Sequence, residues 1–401
     1  MKALIVGGTG PSGPFLANGL IERGYKVTIF HRGTHEIPEI VPEVAHIHGD
    51  PHFRETIEAA LGGRTFDVVI ATYGRIRFVA EALSGKTPCF IAIGGVPSYR
   101  GLADPSANFP AGLKVPVPED APLVMSEQEQ RFSWLIKNTE DVVLNAHPNG
   151  VVYRYPYVYG PYQLVPREWC IIRRILDKRH TILLPDGGLS LMTHGYAANL
   201  AHAVLLAIDN PTAAAGQIYN CGDEEQLSLR QVCEVICGEL NHELKVISVP
   251  DSFGTAARAI SLNGSVHHSV MDLFKIKTQL GYRDLIPAVE AIAKTAHWYV
   301  EHPPERGGEI EQRLQDPFDY AAEDKLIAIL QEARERAQAL TTHKIVGSLI
   351  PTRIRRSLTC SATIVIVNRA APAGDNSCDQ GFECRGARRL RYARRVFGRA
   401  Y

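Results

Sequence analysis

The chain predicts an α/β fold: a doubly wound parallel sheet with a smaller C-terminal α/β region covering the substrate side. Three observations carry this. The N-terminus alternates strand, glycine turn, helix and strand. Three further short apolar runs then alternate with helical patterns. From about residue 161 the pattern changes to helices and short isolated strands. Alternating strand and helix signals put helices on both faces of a parallel sheet.

The first unit is "ALIVGGTGPSGPFLANGLIERGYKVTIFHRG": a β-branched run, a glycine cluster, an amphipathic helix pattern and a second apolar run, which together make a βαβ unit. Gly7, Gly10 and Gly13 close the strand and open the helix. Glycine there lets backbone approach a pyrophosphate, and the helix offers free N–H groups and its positive dipole end to the anion. The reading is dinucleotide binding; a purely structural turn is the alternative. The strands "VAHIHGD", "FDVVIA" and "TPCFIAIGG" follow, separated by "FRETIEAALGG" and "RIRFVAEALSG". A ligand of such a sheet lies at the carboxyl ends of its strands.

The end of the second strand distinguishes the two nicotinamide cofactors. An acid there accepts from ribose hydroxyls, whereas a 2′-phosphate needs cations. The chain has "FHRG", with His31 and Arg32 and no acid. NADP is therefore expected, with NAD as the alternative cofactor and two solvated loop residues as the plain structural reading.

Composition sets outer bounds. With 45% hydrophobic and 21% charged residues over 401 positions, the chain is globular and long enough for a large core or two smaller ones. Formal net charge is zero, but it is unevenly placed: from Lys344 onward one Lys and eleven Arg face three acids, a net +9 against −9 for the rest. No two of the eight cysteines have CxxC spacing, so buried free thiols in a reducing compartment are expected, and no metal site. "MKALIVGG" reads as a first strand rather than a signal peptide, and no apolar run could span a bilayer. A cytoplasmic protein without membrane partners is the expectation.

The spacing of Gly7, Gly10 and Gly13, followed in order by "RYPYVYGP", "AANLAHAVLLAI", "GQIYNCGDEEQLSLRQV" and "MDLFKIKTQLGY", resembles the extended short-chain dehydrogenase/reductase family, also called the NAD-dependent epimerase/dehydratase family. The likeness runs from Met1 to about His302. It implies a Rossmann-type core over residues 1–160 with later segments returning to it, and a substrate-binding region over 161–302. A helical extension over 303–342 and an unstructured basic tail over 343–401 follow from the sequence pattern. The resemblance also implies that Asp50 meets the adenine amine, that Gly74 lies along the cofactor, and that a Ser/Thr, Tyr and Lys set follows. Pro51, next to Asp50, has no N–H to offer the adenine.

The family's Tyr-x-x-x-Lys pair shares one helix face, the lysine holding the nicotinamide ribose and lowering the tyrosine's pKa. Here "FSWLIK" has Ser133 and Lys137 at that spacing. The lysine is kept and the acid is gone. Lys137 is read as a cofactor contact, and Ser133 as a relay rather than a direct donor. After the fifth strand, "IGGVPSYRG" leaves Ser98 as the nearest hydroxyl. Tyr153, Tyr155, Tyr157 and Tyr159 recur with period two, which would turn one strand face aromatic, with Pro156 limiting the strand. Tyr157 falls where many nucleotide-sugar enzymes place an asparagine, and reads either as a replacement acid or as a pocket wall. Arg167, Arg173 and Arg174 read as an outer charged helix face or an anion site, His194 as structural, and Ser228 as an N-cap.

The expected function is NAD(P)-dependent hydride transfer at a carbonyl or secondary alcohol carbon of a small-molecule substrate, with a homodimer as one allowed assembly. The alternative is a non-catalytic NADP-binding regulator or scaffold. Nucleic acid is not an expected partner, since the basic tail lacks the framework of a known reader.

Overall fold

In the computed structural model, which describes residues 1–34, 37–250, 253 and 267–340, the first apolar run is strand β1 (Lys2–Val6), and the glycine turn leads into α1 (Gly13–Glu22) and β2 (Lys26–His31). The expected alternation continues through β3 (Ala45–His48), α2 (Arg54–Leu61), β4 (Val68–Ala71), α3 (Ile76–Ala82) and β5 (Cys89–Gly95). A long connection then reaches α4 (Arg131–Ala146), β6 (Val151–Tyr155) and the short β7 (Tyr157–Tyr159). Beyond it come α5 (Arg167–Leu176), β8 (Thr181–Pro185), β9 (His194–Tyr196), α6 (Ala197–Asp209), α7 (Pro211–Ala214) and β10 (Ile218–Asn220). The described chain ends with α8 (Leu229–Glu239), β11 (Lys245–Val249), α9 (Phe274–Gln279), α10 (Ala288–Glu301), α11 (Glu309–Leu314) and α12 (Tyr320–Leu340).

Seven strands form one parallel sheet in the order β10-β6-β5-β4-β1-β2-β3. Chain direction across the sheet reverses between β1 and β4, the place where doubly wound sheets open a ligand crevice. The period of two along each strand divides the core. Ala3 and Ile5 of β1 join Leu16 and Leu20 of α1 and Leu200 and Val204 of α6 on one face. Leu4 and Val6 join Ile57, Leu61, Val79 and Val143 from α2, α3 and α4 on the other.

A second apolar cluster joins α5, β8, α8 and α10 through Trp169, Ile172, Leu184, Ile236 and Tyr299. The two-stranded sheets β8–β11 and β7–β9 complete it. Ser228 caps α8 as the sequence predicts, accepting from the Gln231 N–H at 3.3 Å while Gln231 Oε1 accepts from the Ser228 N–H at 2.8 Å.

The helical extension is tied in by charge. Arg173 and Arg174, an outer charged face or an anion site by sequence, point inward to carboxylates of the extension instead. Arg174 is 2% exposed and donates to Asp316 at 2.7 Å and to Glu323. Arg173 pairs with Glu311, whose other oxygen accepts from Trp169 Nε1 at 2.9 Å. Ile327 of α12 packs on Leu183 and Val249. The basic tail from residue 343 lies outside the described residues. Among the described residues no helix is long and apolar enough to cross a membrane. No group of three or more His, Cys, Asp or Glu side chains there could hold a metal ion.

Candidate functional site

The turn from β1 into α1 can be built from little but glycine. Gly7 and Gly8 have φ of +96° and +76°, a region that strains any residue with a Cβ. A Cβ on Gly13 would stand 1.9 Å from the Gly8 carbonyl oxygen. Gly10 differs: a Cβ there would meet nothing within 4 Å, so the outer surface of the turn is open beside the α1 N-terminus. Ser12 precedes that helix without capping it through its side chain. The Gly13 N–H donates to the Gly10 carbonyl at 3.0 Å and Pro14 has none, so it is the open glycine surface of the turn, more than a row of free helix N–H groups, that fits a pyrophosphate.

The ends of β2, β3 and β4 converge beside this turn. His31 is 3% exposed, with Nδ1 accepting from the Gly33 N–H at 3.3 Å and Nε2 lying 2.8 Å from His46 Nδ1. Its ring packs edge-on against those of His46 and His48 on β3, whereas the sequence reading places His31 in the loop beyond the strand. The physical reason is that His31 is still part of β2 and pairs with His48 of β3. Arg32 is exposed, and its guanidinium lies 5.6 Å from the Tyr73 ring centre. The Tyr73 ring meets the His52 ring edge-on at 5.0 Å, and Asp50 Oδ1 accepts from the His52 N–H at 2.9 Å. That backbone hydrogen bond, the largest influence on it, holds the Asp50 carboxyl below its usual range. Sequence reading missed His52 and Tyr73; "GDPH" and "TYG" flank the strand ends and could have indicated them. Gly74, with φ +85°, is required by Pro51, whose Cβ and carbonyl oxygen would both lie 2.7 Å from an added Cβ.

The expected catalytic residues surround the carboxyl ends of β5 and β6 but are not brought into one hydroxyl-bearing cluster. Lys137 is largely covered, and its ammonium pairs with Asp141 one helical turn on. Ser133 is 1% exposed, its N–H donating to Gln130 Oε1 at 2.6 Å while its Oγ has no partner. Ser98 is fully buried and donates to the Gly95 carbonyl at 3.1 Å. Tyr157 lines a pocket of about 160 Å³ between β5, β6 and β9. Its hydroxyl, however, accepts from the Arg167 N–H at 2.8 Å and reaches Val165 O at 3.0 Å, anchored at the start of α5. Burial pushes its pKa well up. The expected single aromatic face is broken at Pro156. Tyr153 and Tyr155 reach back to Ala203 O and Leu200 O on α6, whereas Tyr159 donates to Asp223 at 2.7 Å.

Two buried polar groups carry this architecture without having stood out in the sequence. Arg154 of β6, 1% exposed, is gripped by both oxygens of Glu140 at 2.9 and 2.8 Å and donates to Tyr99 Oη at 2.8 Å. Asp223 accepts from Tyr159 Oη, the Tyr196 N–H and Asn199 Nδ2. His194 accepts from Arg167 at 3.1 Å, and burial, with that cation second, lowers its pKa to about 3, so it stays a neutral structural group.

Burial raises the Asp223 pKa from 3.8 to about 6. Because the folded value is the higher one, the folded state holds this proton longer than the unfolded chain. Stability from this group is full below about pH 4 and is lost as pH rises through about 6. Asp223→Asn removes the titration. Its stability relative to wild type, measured by urea unfolding, is expected to improve by roughly 2–3 kcal/mol between pH 4 and pH 7; a constant difference would refute the assignment.

Residues 139–222 match the model of the "NAD dependent epimerase/dehydratase family". The chain is 26% identical over 239 residues to the Arabidopsis thaliana "Chloroplast stem-loop binding protein of 41 kDa b", a match covering 57% of this chain and 60% of that protein. It is 38% identical over 82 residues to a UDP-D-apiose/UDP-D-xylose synthase of Oryza sativa subsp. japonica, covering 20% and 21%. Among solved structures, a UDP-glucose 4-epimerase from Thermotoga maritima with UDP-glucose superposes with a TM-score of 0.61 at 16% identity, over 76% of this chain and 100% of that one. WbmG of Bordetella bronchiseptica in complex with NAD gives 0.60 at 17% identity, over 79% and 96%. The resemblance to the extended short-chain dehydrogenase/reductase family stands, and the fold is shared along nearly the whole of these solved chains.

Proposed function

We propose that the protein is an epimerase/dehydratase-like enzyme that binds NADP and moves hydride to or from a carbonyl or secondary alcohol carbon of a small molecule. The observation that carries the reading is the β1–α1 turn. Gly7, Gly8 and Gly13 hold it in a shape other residues would strain, and Gly10 leaves its outer face open beside a helix N-terminus. Solved proteins of the same fold hold NAD. When bound, the nicotinamide supplies the hydride. Asp50 would meet the adenine amine, Arg32 the 2′-phosphate, and Lys137 the nicotinamide ribose. Ser133, Ser98 and Tyr157 are the hydroxyls proposed to donate or relay the proton. Ser133 needs the smallest rearrangement, because its Oγ gives up no hydrogen bond on turning.

The test is a fluorescence titration with NADPH and NADH. NADPH is expected to bind more tightly, and Arg32→Ala to weaken NADPH about tenfold, the loss of one phosphate contact, while leaving NADH unchanged. No binding of either at high micromolar concentration would end this reading.

One observation favours a second reading, a cofactor-binding protein without turnover. All three candidate hydroxyls are buried or engaged by other groups, and a positioned proton donor contributes about 10²–10⁴-fold to rate. Turnover of any carbonyl substrate that Lys137→Ala abolishes decides against it. Nucleic-acid binding is not proposed, although one relative is named for stem-loop binding: the chain before Lys344 carries a net −9, which opposes a phosphate backbone, and the +9 beyond it comes without the sequence framework of a known reader.

A further inference from the structure

The pocket at the carboxyl ends of β5 and β6 is chemically one-sided. Its walls are Pro97, Leu102, Met192 and Met271, and none of the described residues lining it is charged. Four of its lining residues carry a hydroxyl, and three of those hydroxyls are already engaged. Tyr157 Oη accepts from one backbone group and faces another carbonyl. Thr193 Oγ1 donates to Gln226 at 2.7 Å and accepts from the Met271 N–H at 2.9 Å. Tyr155 Oη donates to Leu200 O at 3.3 Å. The fourth, Ser269, brings a single O–H donor, enough for one carbonyl oxygen.

We infer that the group received here is a small apolar carbonyl compound, aryl or alicyclic, and not a sugar ring. This rests on the hydride-transfer reading above and names its substrate class. Size agrees: an apolar cavity of ~150 Å³ in another protein admits one benzene, and this pocket holds about 160 Å³. A hexose would bring several hydroxyls against methionine, leucine and proline. Each hydroxyl left without a partner lowers affinity roughly tenfold or more. A ring bearing one carbonyl leaves none stranded.

The experiment uses the full chain, with and without NADPH, titrated by ligand-observed NMR with acetophenone, cyclohexanone and UDP-glucose. Acetophenone or cyclohexanone is expected to bind at least tenfold more tightly than UDP-glucose. Leu102→Asn and, as a milder variant at a partly exposed position, Met192→Gln are each expected to weaken the ketone at least fivefold while leaving NADPH affinity unchanged. UDP-glucose binding as tightly as either ketone overturns the inference. So does a ketone affinity indifferent to both variants, or no ketone binding up to solubility. A protein that binds ketone but ignores NADPH overturns the hydride-transfer reading and leaves the pocket's chemistry standing, so the two failures are distinguishable.

Discussion

Glu140→Ala is expected to cost about 3–5 kcal/mol of stability, seen as a large fall in the urea midpoint with the slope unchanged. The magnitude follows from what remains behind. Arg154 is 1% exposed near the carboxyl end of β6, and both carboxylate oxygens that grip it come from Glu140. Removing them leaves a guanidinium in the interior with Tyr99 Oη and Glu119 O, each at 2.8 Å, which are neutral acceptors. The double variant Glu140→Ala/Arg154→Leu is expected to recover part of the loss, because no charge is then stranded. A single variant losing under about 1 kcal/mol, the level of an exposed pair, would show that water reaches this site.

Gly13→Ala is the second large effect, and it separates binding from folding. The added Cβ would lie 1.9 Å from the Gly8 carbonyl oxygen, and the obstacle is backbone, so no side-chain rotation relieves it. Either the turn opens or α1 moves away from it. Overpacking of this kind costs about 1–3 kcal/mol in stability. If the dinucleotide sits on this turn, displaced N–H groups should lower NADPH affinity roughly hundredfold, the equivalent of about 3 kcal/mol. Gly10→Ala is the control, since its Cβ would meet no protein atom within 4 Å. It should fold normally and still bind NADPH poorly. Full NADPH affinity in Gly10→Ala would place the cofactor elsewhere.

The sheet was legible because its signals are local. Each strand is a short apolar run, and the turn glycines stand where the pattern switches from strand to helix. Lys137 and Ser133 fall on one helix as their spacing predicts. What could not be read was where each side chain spends its hydrogen bonds. His31 looks like a loop cation but belongs to β2, because pairing with β3 extends one residue further than the apolar run suggests. Tyr157 looks like a spare acid, yet its hydroxyl is held by Val165 and by the first residues of α5, eight to eleven residues later. Gly74 looks like a cofactor glycine, yet Pro51 already requires it through a contact that only the folded chain makes. Arg154 and Arg174 carry no sequence mark of burial, since their partners lie 14 and up to 149 positions away.

That last separation bears on how the protein is made. Arg174 sits inside the second apolar cluster, yet the acids that neutralise it, Asp316 and Glu323, are 142 and 149 residues further along. At a synthesis rate of about 5–20 residues per second, the ribosome delivers them roughly 7–30 seconds after Arg174 itself. Within that interval strands β1 to β6 are already available and the seventh strand, β10, follows at Ile218–Asn220, so the sheet can close. The second cluster cannot settle around an unpaired guanidinium. The nascent chain therefore passes through a state with a finished sheet and an open flank, and a ribosome stalled before residue 316 would hold it there, with α5 and α8 exposed to chaperones or to neighbouring chains.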